Sequence, residues 1–376
     1  MNSEPGNKKS VRPAPVTAES LSACQCNCVS GPKRPLLAPR PEEDSPANTL
    51  ERYARKLMGE TPLTMSEFAA AAGATREQAE DFWRGIGQVV SQTETPQFGE
   101  MDVHALRTYL SLAQSGRVDQ ETARTLLRAS QTTDRLALWQ VEAYVDYVIR
   151  SQNLDDTTAR IVALDRMEEF LADFEEQLHY TWRRQMLSLL TRMDSDYARA
   201  GLSETDGRTY PLQRTLGFVD MAGFSRHSAR IGATALAELI GKFEAIVRDL
   251  IAAHGARIVK TIGDAVLYIA DDLPTGTEVA VALVERLTQT EGLLPVRASV
   301  VEGSVVSRFG DVFGPTVNLA SRLVNEAQPG QLLTDGTTAA AIERSIGKDR
   351  YKLEKLENTE LRGIGETLLV AVSRPE

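Results

Sequence analysis

The sequence predicts an α+β fold in its second half, preceded by an all-α first half. Two observations carry this. Between residues 49 and 203 apolar residues recur at three- and four-residue spacing without strand-like alternation, the period of helices that bury one face. From residue 215 onward, short apolar runs alternate with helical stretches in the order strand, helix, hairpin, helix, strand. That order lays helices on a mainly antiparallel sheet. A third observation sets off the start: eight of the sixteen prolines lie between Pro5 and Pro46, mixed with Ser, Lys, Glu and Asp. Residues 1–48 are therefore expected to form a disordered tail, too poor in apolar surface to offset the entropy of ordering it.

Within the helical half, residues 49–203, Thr64 with Glu67 and Thr75 with Gln78 fit the capping-box spacing that opens a helix. Gly59, Gly116 and Gly201 stand where helices would end. The segments 121–130, 134–151 and 157–199 are expected to be helical, the last running through Met186, Leu189, Leu190 and Met193 into a polar connector over 204–214. In the second half, residues 215–376, LGFVDM (216–221) reads as a buried strand. An amphipathic helix follows through Leu236, Phe243, Val247 and Ile251, with Gly255 as its stop. Residues 256–270 read as two strands joined by a tight turn at Ile262–Asp264. Thr275 with Glu278 is expected to cap a helix through Leu287, 296–306 to be a strand, and Pro315 to begin a helix. Closing strands are expected to include 331–334 and 367–373.

Composition narrows the function. At 376 residues the chain is too long for one ordinary domain. With 42 basic against 52 acidic residues its net charge is −10, which disfavours broad binding to nucleic-acid phosphates. No stretch approaches the roughly 18–20 apolar residues of a membrane span. The opening MNSEPGNKKS lacks the apolar core of a secretory signal, so a cytoplasmic location is expected. The three cysteines, Cys24, Cys26 and Cys28, share one short run with no His nearby, which fits neither a disulfide scaffold nor a closed zinc site.

Two aspartates carry the first chemical signal. Asp220 ends an apolar strand, and Asp264 sits in the hairpin turn of Lys260-Thr261-Ile262-Gly263-Asp264. Taken singly, Asp220 could cap the next helix and Asp264 could supply turn chemistry. Together, a strand end and a neighbouring hairpin can bring two carboxylates to one pair of cations, and such hard oxygen ligands suit Mg²⁺ or Mn²⁺ carrying phosphates.

Three separated motifs, FVDMAGFS, KTIGDAV and GDVFGPTVNLASR, closely resemble those of the class III nucleotidyl cyclases, enzymes that make cyclic AMP or cyclic GMP. The resemblance covers residues 215–373 and implies a ferredoxin-like catalytic domain. It assigns Asp220 and Asp264 to two divalent cations, Lys260 and Asp311 to the purine edge, and Asn318 and Arg322 to the ribose and the pentavalent phosphorus. Arg362 lies where many relatives place a triphosphate-binding Lys. Arginine can also hold phosphate bidentately, so that role is compatible with the departure. Asn318 and Arg322, four apart, share one face of a helix. A lysine donates and an ionised aspartate accepts, which suits adenine rather than guanine and makes ATP the expected substrate. In this family the metal aspartates of one chain work with the Lys, Asp, Asn and Arg of its partner, so a chain carrying all six implies a homodimer with two shared sites. None of the six is missing, which argues against a catalytically silent homologue.

The helical half resembles the cytosolic regulatory domains that restrain some bacterial members, in certain relatives with pH. His179, beside Glu175, Glu176, Arg183 and Arg184 on the last helix, is the candidate charge switch, against the plainer reading of a satisfied surface histidine. Residues 61–87 also look like a helix-turn-helix around Gly73. Residues 61–90, however, carry four acidic residues and only Arg76 and Arg84 as cations, a poor footprint for DNA.

Overall fold

The computed structural model describes residues 46–90, 94–200, 212–347 and 349–375. The tail expected over 1–48, with its cysteine run, lies outside the described residues up to 45, as does the connector expected over 204–214 up to 211. The chain divides into two compact units, Met1–Ala200 and Gly201–Glu376. No helix among the described residues is long and apolar enough to cross a membrane.

The first unit contains α1 (Pro46–Met58), α2 (Met65–Ala72), α3 (Arg76–Gly85), α4 (Glu100–Gln114), α5 (Gln120–Ala129), α6 (Thr132–Gln152), α7 (Asp156–Arg166) and α8 (Leu171–Ala200). Both expected capping boxes form: Thr64 and Thr75 accept from the backbone of Glu67 and Gln78, whose side chains reach back. Gly73 turns the chain between α2 and α3 at φ 72°, a left-handed conformation that glycine adopts without a Cβ penalty. One core gathers around Phe68, which stacks on Phe98 at 4.5 Å with Trp83 edge-on at 4.8 Å. A second joins Tyr53 of α1 to Val145, Val148, Ala159 and Met167.

The helical segment expected over 157–199 is two helices, not one. A short 3₁₀ turn, Met167–Glu169, separates α7 from α8. No Gly or Pro marks the break. The nearly buried Arg166 grips Glu169 with two hydrogen bonds of 2.9 and 2.8 Å, and Phe170 is freed to pack on Tyr144 at 4.6 Å. Tertiary packing outweighs local propensity here.

The second unit contains β1 (Leu212–Met221), α9 (Phe224–Ser228), α10 (Ala233–Ala253), β2 (Arg257–Ile262), β3 (Ala265–Ala270), α11 (Leu273–Thr288), β4 (Val296–Ser299), β5 (Val301–Arg308), β6 (Asp311–Phe313), α12 (Pro315–Glu326), β7 (Leu332–Asp335), α13 (Gly336–Ser345), β8 (Lys352–Leu361) and β9 (Gly365–Ser373). The sheet order is β2-β3-β1-β4-β7-β9-β8, with β5 continuing against β1 and pairing β6. Every pairing is antiparallel except β4 with β7. The class is the expected α+β.

Both faces of the central strands are covered, which is why they read as unbroken apolar runs. Val219, Val266 and Tyr268 point into one core with α10, α11 and α13. Leu216, Phe218, Leu267 and Ile269 point into the other, beneath α12. This alternation is the two-residue period of a strand.

The single strand expected over 296–306 is interrupted at Val300. β4 and β5 keep one register against β1, from Met221↔Val296 to Leu212↔Val305. At Val300 the backbone turns instead to β7: its N–H donates to the Leu333 carbonyl at 3.0 Å, and its carbonyl accepts from Thr334 Oγ1 at 2.6 Å. The cap of α11 also differs. Asp272, not Thr275, is the N-cap, accepting from the Thr275 N–H at 2.8 Å.

Candidate active site

Asp220 sits on β1 one residue before its end, opposite Ala265 on β3 and Arg297 on β4. Its carboxylate Oδ2 accepts from Arg297 Nε at 2.8 Å and from Arg297 Nη2 at 2.6 Å. The helix-cap reading of Asp220 fails, because the N-cap of α9 is Gly223. Asp264 follows Gly263 (φ 62°) in the β2–β3 turn, and its carbonyl accepts from the Met221 N–H at 3.3 Å, which ties the turn to the end of β1. Burial, together with the neighbouring Asp220 charge, pushes the Asp264 carboxyl above its ordinary value. The two carboxylates therefore lie within reach of one another, and the Asp220 charge makes Asp264 harder to ionise.

Lys260, on β2, and Asp311, at the start of β6, meet at 2.5 Å between Nζ and Oδ2. Burial alone would raise the Asp311 carboxyl, but the hydrogen bonds from Lys260 and from the Val312 N–H outweigh it and hold the group below its ordinary value. The contact also fastens the β5–β6 hairpin to β2.

Asn318 and Arg322 stand on the exposed side of α12, while Thr316, Ala320, Leu323 and Val324 bury its other side. Gly314 and Pro315 start the helix so that its N-terminal end lies just beyond β6. Arg322 Nε donates to the Arg362 carbonyl at 3.3 Å, which brings the β8–β9 turn beside α12. The Arg362 side chain is exposed. Among the described residues of one chain, then, three sets form: Asp220 with Asp264, Lys260 with Asp311, and Arg322 beside Arg362. No hydrogen bond or ion pair among the described residues joins one set to another.

Residues 213–373 match the adenylate and guanylate cyclase catalytic domain. Beyond that domain, an adenylate cyclase of Glutamicibacter nicotianae is 35% identical over 364 residues, 94% of this chain and 89% of that one. An adenylate cyclase of Streptomyces coelicolor is 35% identical over 314 residues, covering 82% of this chain and 80% of its own. One of Streptomyces griseus is 34% identical over 310 residues, covering 81% and 74%. The chain belongs to the adenylate and guanylate cyclase family.

Members of this cyclase family depend on divalent metal, and the donor set here fits one. Two carboxylates supply hard oxygens, and a cation between them would relieve the repulsion that raises Asp264. Among the described residues no third His, Cys, Asp or Glu completes a closed cage. Such a half-open set suits a hard divalent cation that takes its remaining oxygens from other ligands.

Arg297 is a residue of the candidate site that the motif reading passed over. It pairs with Asp220 through two nitrogens and donates its third, Nη1, to the Asn325 carbonyl of α12 at 3.0 Å. The available signal was a lone charged residue between Val296 and Ala298 in a short, mostly buried strand. Its partner lies 77 residues away, and only the β1–β4 register brings them together.

Proposed function

We propose that this cyclase-family protein is an adenylate cyclase that converts ATP to 3′,5′-cyclic AMP and pyrophosphate at two equivalent sites shared across a homodimer. The observation that carries the reading is the separation of the three residue sets within one chain, each complete in its own chemistry. A two-fold partner would set the carboxylates of one chain against the Lys260–Asp311 pair, Asn318 and Arg322 of the other. An apolar patch supports the dimer. Phe309 and Phe313 of the β5–β6 hairpin are 77% and 52% exposed, and Ile262, at the end of β2, is 51% exposed. All three flank the Lys260–Asp311 pair, and clustered apolar exposure of this kind marks an interface.

In the substrate complex Lys260 donates to a ring nitrogen of adenine and Asp311 accepts from the exocyclic amino group. Guanine would set a carbonyl against the carboxylate with no proton between them, at a cost of about 1–3 kcal/mol. Asn318 orients the ribose, while Arg322 neutralises charge as the α-phosphorus becomes five-coordinate. Arg362 and Arg297 would hold the departing phosphates. Asp220 and Asp264 would hold two divalent cations, Mg²⁺ or Mn²⁺, which supply acidification of the 3′-hydroxyl and charge neutralisation of the phosphates. The bond from O3′ to the α-phosphorus forms as the 3′-hydroxyl proton passes to water and the bond to the leaving pyrophosphate oxygen breaks. Positioning and charge stabilisation provide most of the acceleration.

The helical unit acts as the regulatory domain, with His179 exposed on α8 as the candidate charge switch. The test is cyclic AMP production by residues 206–376 and by the full chain, with Mn²⁺ and with Mg²⁺, on ATP and on GTP. Activity on ATP that Asp264→Ala abolishes supports the cyclase, and a slower full chain supports restraint by the helical unit. Equal turnover of GTP would refute the role given to Lys260 and Asp311. Silence from both proteins on ATP would refute the activity.

A further inference from the structure

We infer that the second unit carries a further binding site, for a small polar α-amino acid, in a cavity at the end of β1 remote from Asp220. The cavity measures about 440 Å³, the size of a small-molecule pocket. It lies between the start of β1, β5, the N-terminal end of α11 and the C-terminal end of α13. Thr215 lines it, and Asp220 stands five residues farther along β1, about 17 Å at the rise of a strand. None of the residues assigned to the cyclase site borders the cavity. Binding there is therefore independent of the activity proposed above.

Two observations identify the ligand class. The first is a buried hydroxyl without a partner. Thr215 is fully buried, yet its Oγ1 makes no hydrogen bond. Its Cγ2 lies against Gly276 of α11, where an added Cβ would collide with it, so the hydroxyl is the branch left for the cavity side. A buried hydroxyl without a partner is costly, and a ligand hydroxyl or amide that reaches it recovers that cost. The second is a pair of opposite charges that do not meet. Of the five charged side chains around the cavity, three are engaged: Arg214 pairs with Asp271 at 3.4 Å, and Asp272 accepts from the Thr275 N–H at 2.8 Å. Glu302 of β5 and Arg344 of α13 remain. Among the described residues neither side chain forms an ion pair or hydrogen bond, with the other or with any third group. Glu302 is fixed opposite Thr215 by the β1–β5 register, and its N–H donates to Thr338 Oγ1 of α13 at 3.1 Å. A zwitterion spans the two walls, its ammonium on Glu302, its carboxylate on the Arg344 guanidinium and its polar side chain toward Thr215. A simple anion or cation would satisfy one wall and meet a like charge on the other.

A ligand-detected NMR titration of the full chain tests this, with L-serine as the probe. Ethanolamine is serine without its carboxylate and 3-hydroxypropionate is serine without its ammonium, so each should bind at least about tenfold more weakly. Glu302→Gln and Arg344→Gln alter exposed side chains, and each should weaken serine by about the same factor. Thr215→Val replaces the hydroxyl by a methyl of similar shape, so the chain should fold at least as stably and should lose the wild-type preference for L-serine over L-alanine. Thr215→Ser keeps the hydroxyl and should keep that preference. Asp264→Ala should bind serine as wild type does. Failure of serine to saturate the wild-type chain by about 50 mM overturns the proposal. So does 3-hydroxypropionate binding as tightly as serine, which marks a plain anion site, and so does a serine affinity unchanged in Glu302→Gln and Arg344→Gln. Loss of serine binding in Asp264→Ala places the amino acid in the cyclase site and also overturns it.

Discussion

Asp220→Ala and Asn318→Ala should each be nearly inactive, yet their mixture should recover activity. Asp220 belongs to the carboxylate set, and Asn318 lies on the exposed side of α12, outside that set. If the site is shared, a heterodimer joins the intact Asp220 of one chain to the intact Asn318 of the other, and its second site carries both defects. Random exchange makes about half of the dimers mixed, each with one working site, so the mixture should reach about a quarter of the wild-type rate. Loss of a metal ligand or a positioning group should hold each variant alone at least about a hundredfold down, so a quarter is easily resolved. The assay is cyclic AMP formed from ATP and Mn²⁺, with two different affinity tags to verify that mixed dimers exist. Asp220→Ala mixed with Asp264→Ala is the control. Those two residues act from the same chain, so each mixed site is damaged and no recovery is expected. Tagged heterodimers that stay as inactive as their components would refute the shared site.

Asp264→Asn should melt higher than wild type in chelator at neutral pH, because the ionised Asp264 is disfavoured by burial and by Asp220, a cost present above the ordinary carboxylate range. It should also lose the stabilisation by Mn²⁺, about 2.7 kcal/mol for wild type at a hundred times Kd, and equal metal-induced shifts would contradict the ligand role. Lys260→Glu with Asp311→Cys, which puts an acceptor where the donor stood and removes the carboxylate that would face a guanine carbonyl, should move the ATP-to-GTP preference toward GTP by up to about a hundredfold in kcat/KM. Burial would raise Glu278, but hydrogen bonds from Tyr351, Arg374 and Arg350 hold it at about 2. Its stabilisation is therefore complete above about 4.5 and lost as pH falls toward about 2, and Glu278→Gln should flatten acid unfolding over that window. The ceiling is about 3 kcal/mol, reduced because Arg350 and Arg374 are well exposed. Gly217→Ala should cost at least about 2 kcal/mol by denaturant titration. An added Cβ would meet the Ser299 carbonyl at 2.2 Å and the buried Tyr268 hydroxyl at 2.6 Å, and the carbonyl cannot move aside.

The sequence showed those features whose causes are local or covered on both faces. The capping boxes at Thr64 and Thr75 are contained in four residues each, and both form. β1 and β3 read as strands because cores on both faces make them apolar throughout. What stayed hidden depends on distant partners. Thr275 and Glu278 have capping-box spacing, but Glu278 is drawn away by Tyr351 at 2.6 Å and by Arg374, so Asp272 takes the cap. β8 lies at the edge of the sheet and carries Lys, Glu and Asn on its open side, so its sequence resembles a loop. α13 is short and rich in Thr and Ala, with its cap supplied by Asp335 at the end of β7. In the site, motif spacing found the seven candidate residues, whereas Arg297 needed the register between β1 and β4.

Each half-site neutralises itself in the single chain, and the two do so unequally. Lys260 and Asp311 keep 39% and 29% of their side-chain surface in contact with solvent, so their pair contributes little and opens at small cost. On the proposed reading, an adenine edge that offers an acceptor to the one and a donor to the other would replace the contact it breaks. Arg297 and Asp220 are more enclosed, at 27% and 14%, and their pairing is made through two nitrogens. Parting them without compensation leaves two poorly hydrated charges. A nucleotide alone compensates only Arg297, through its phosphates, and brings a further negative charge toward Asp220 and Asp264. On the proposed reading a metal–nucleotide complex would compensate both, with phosphate for the guanidinium and a cation for the carboxylates. If the proposed site is right, the metal-bound triphosphate is the species that opens the Arg297–Asp220 pair, and free ATP should bind while leaving that pair closed.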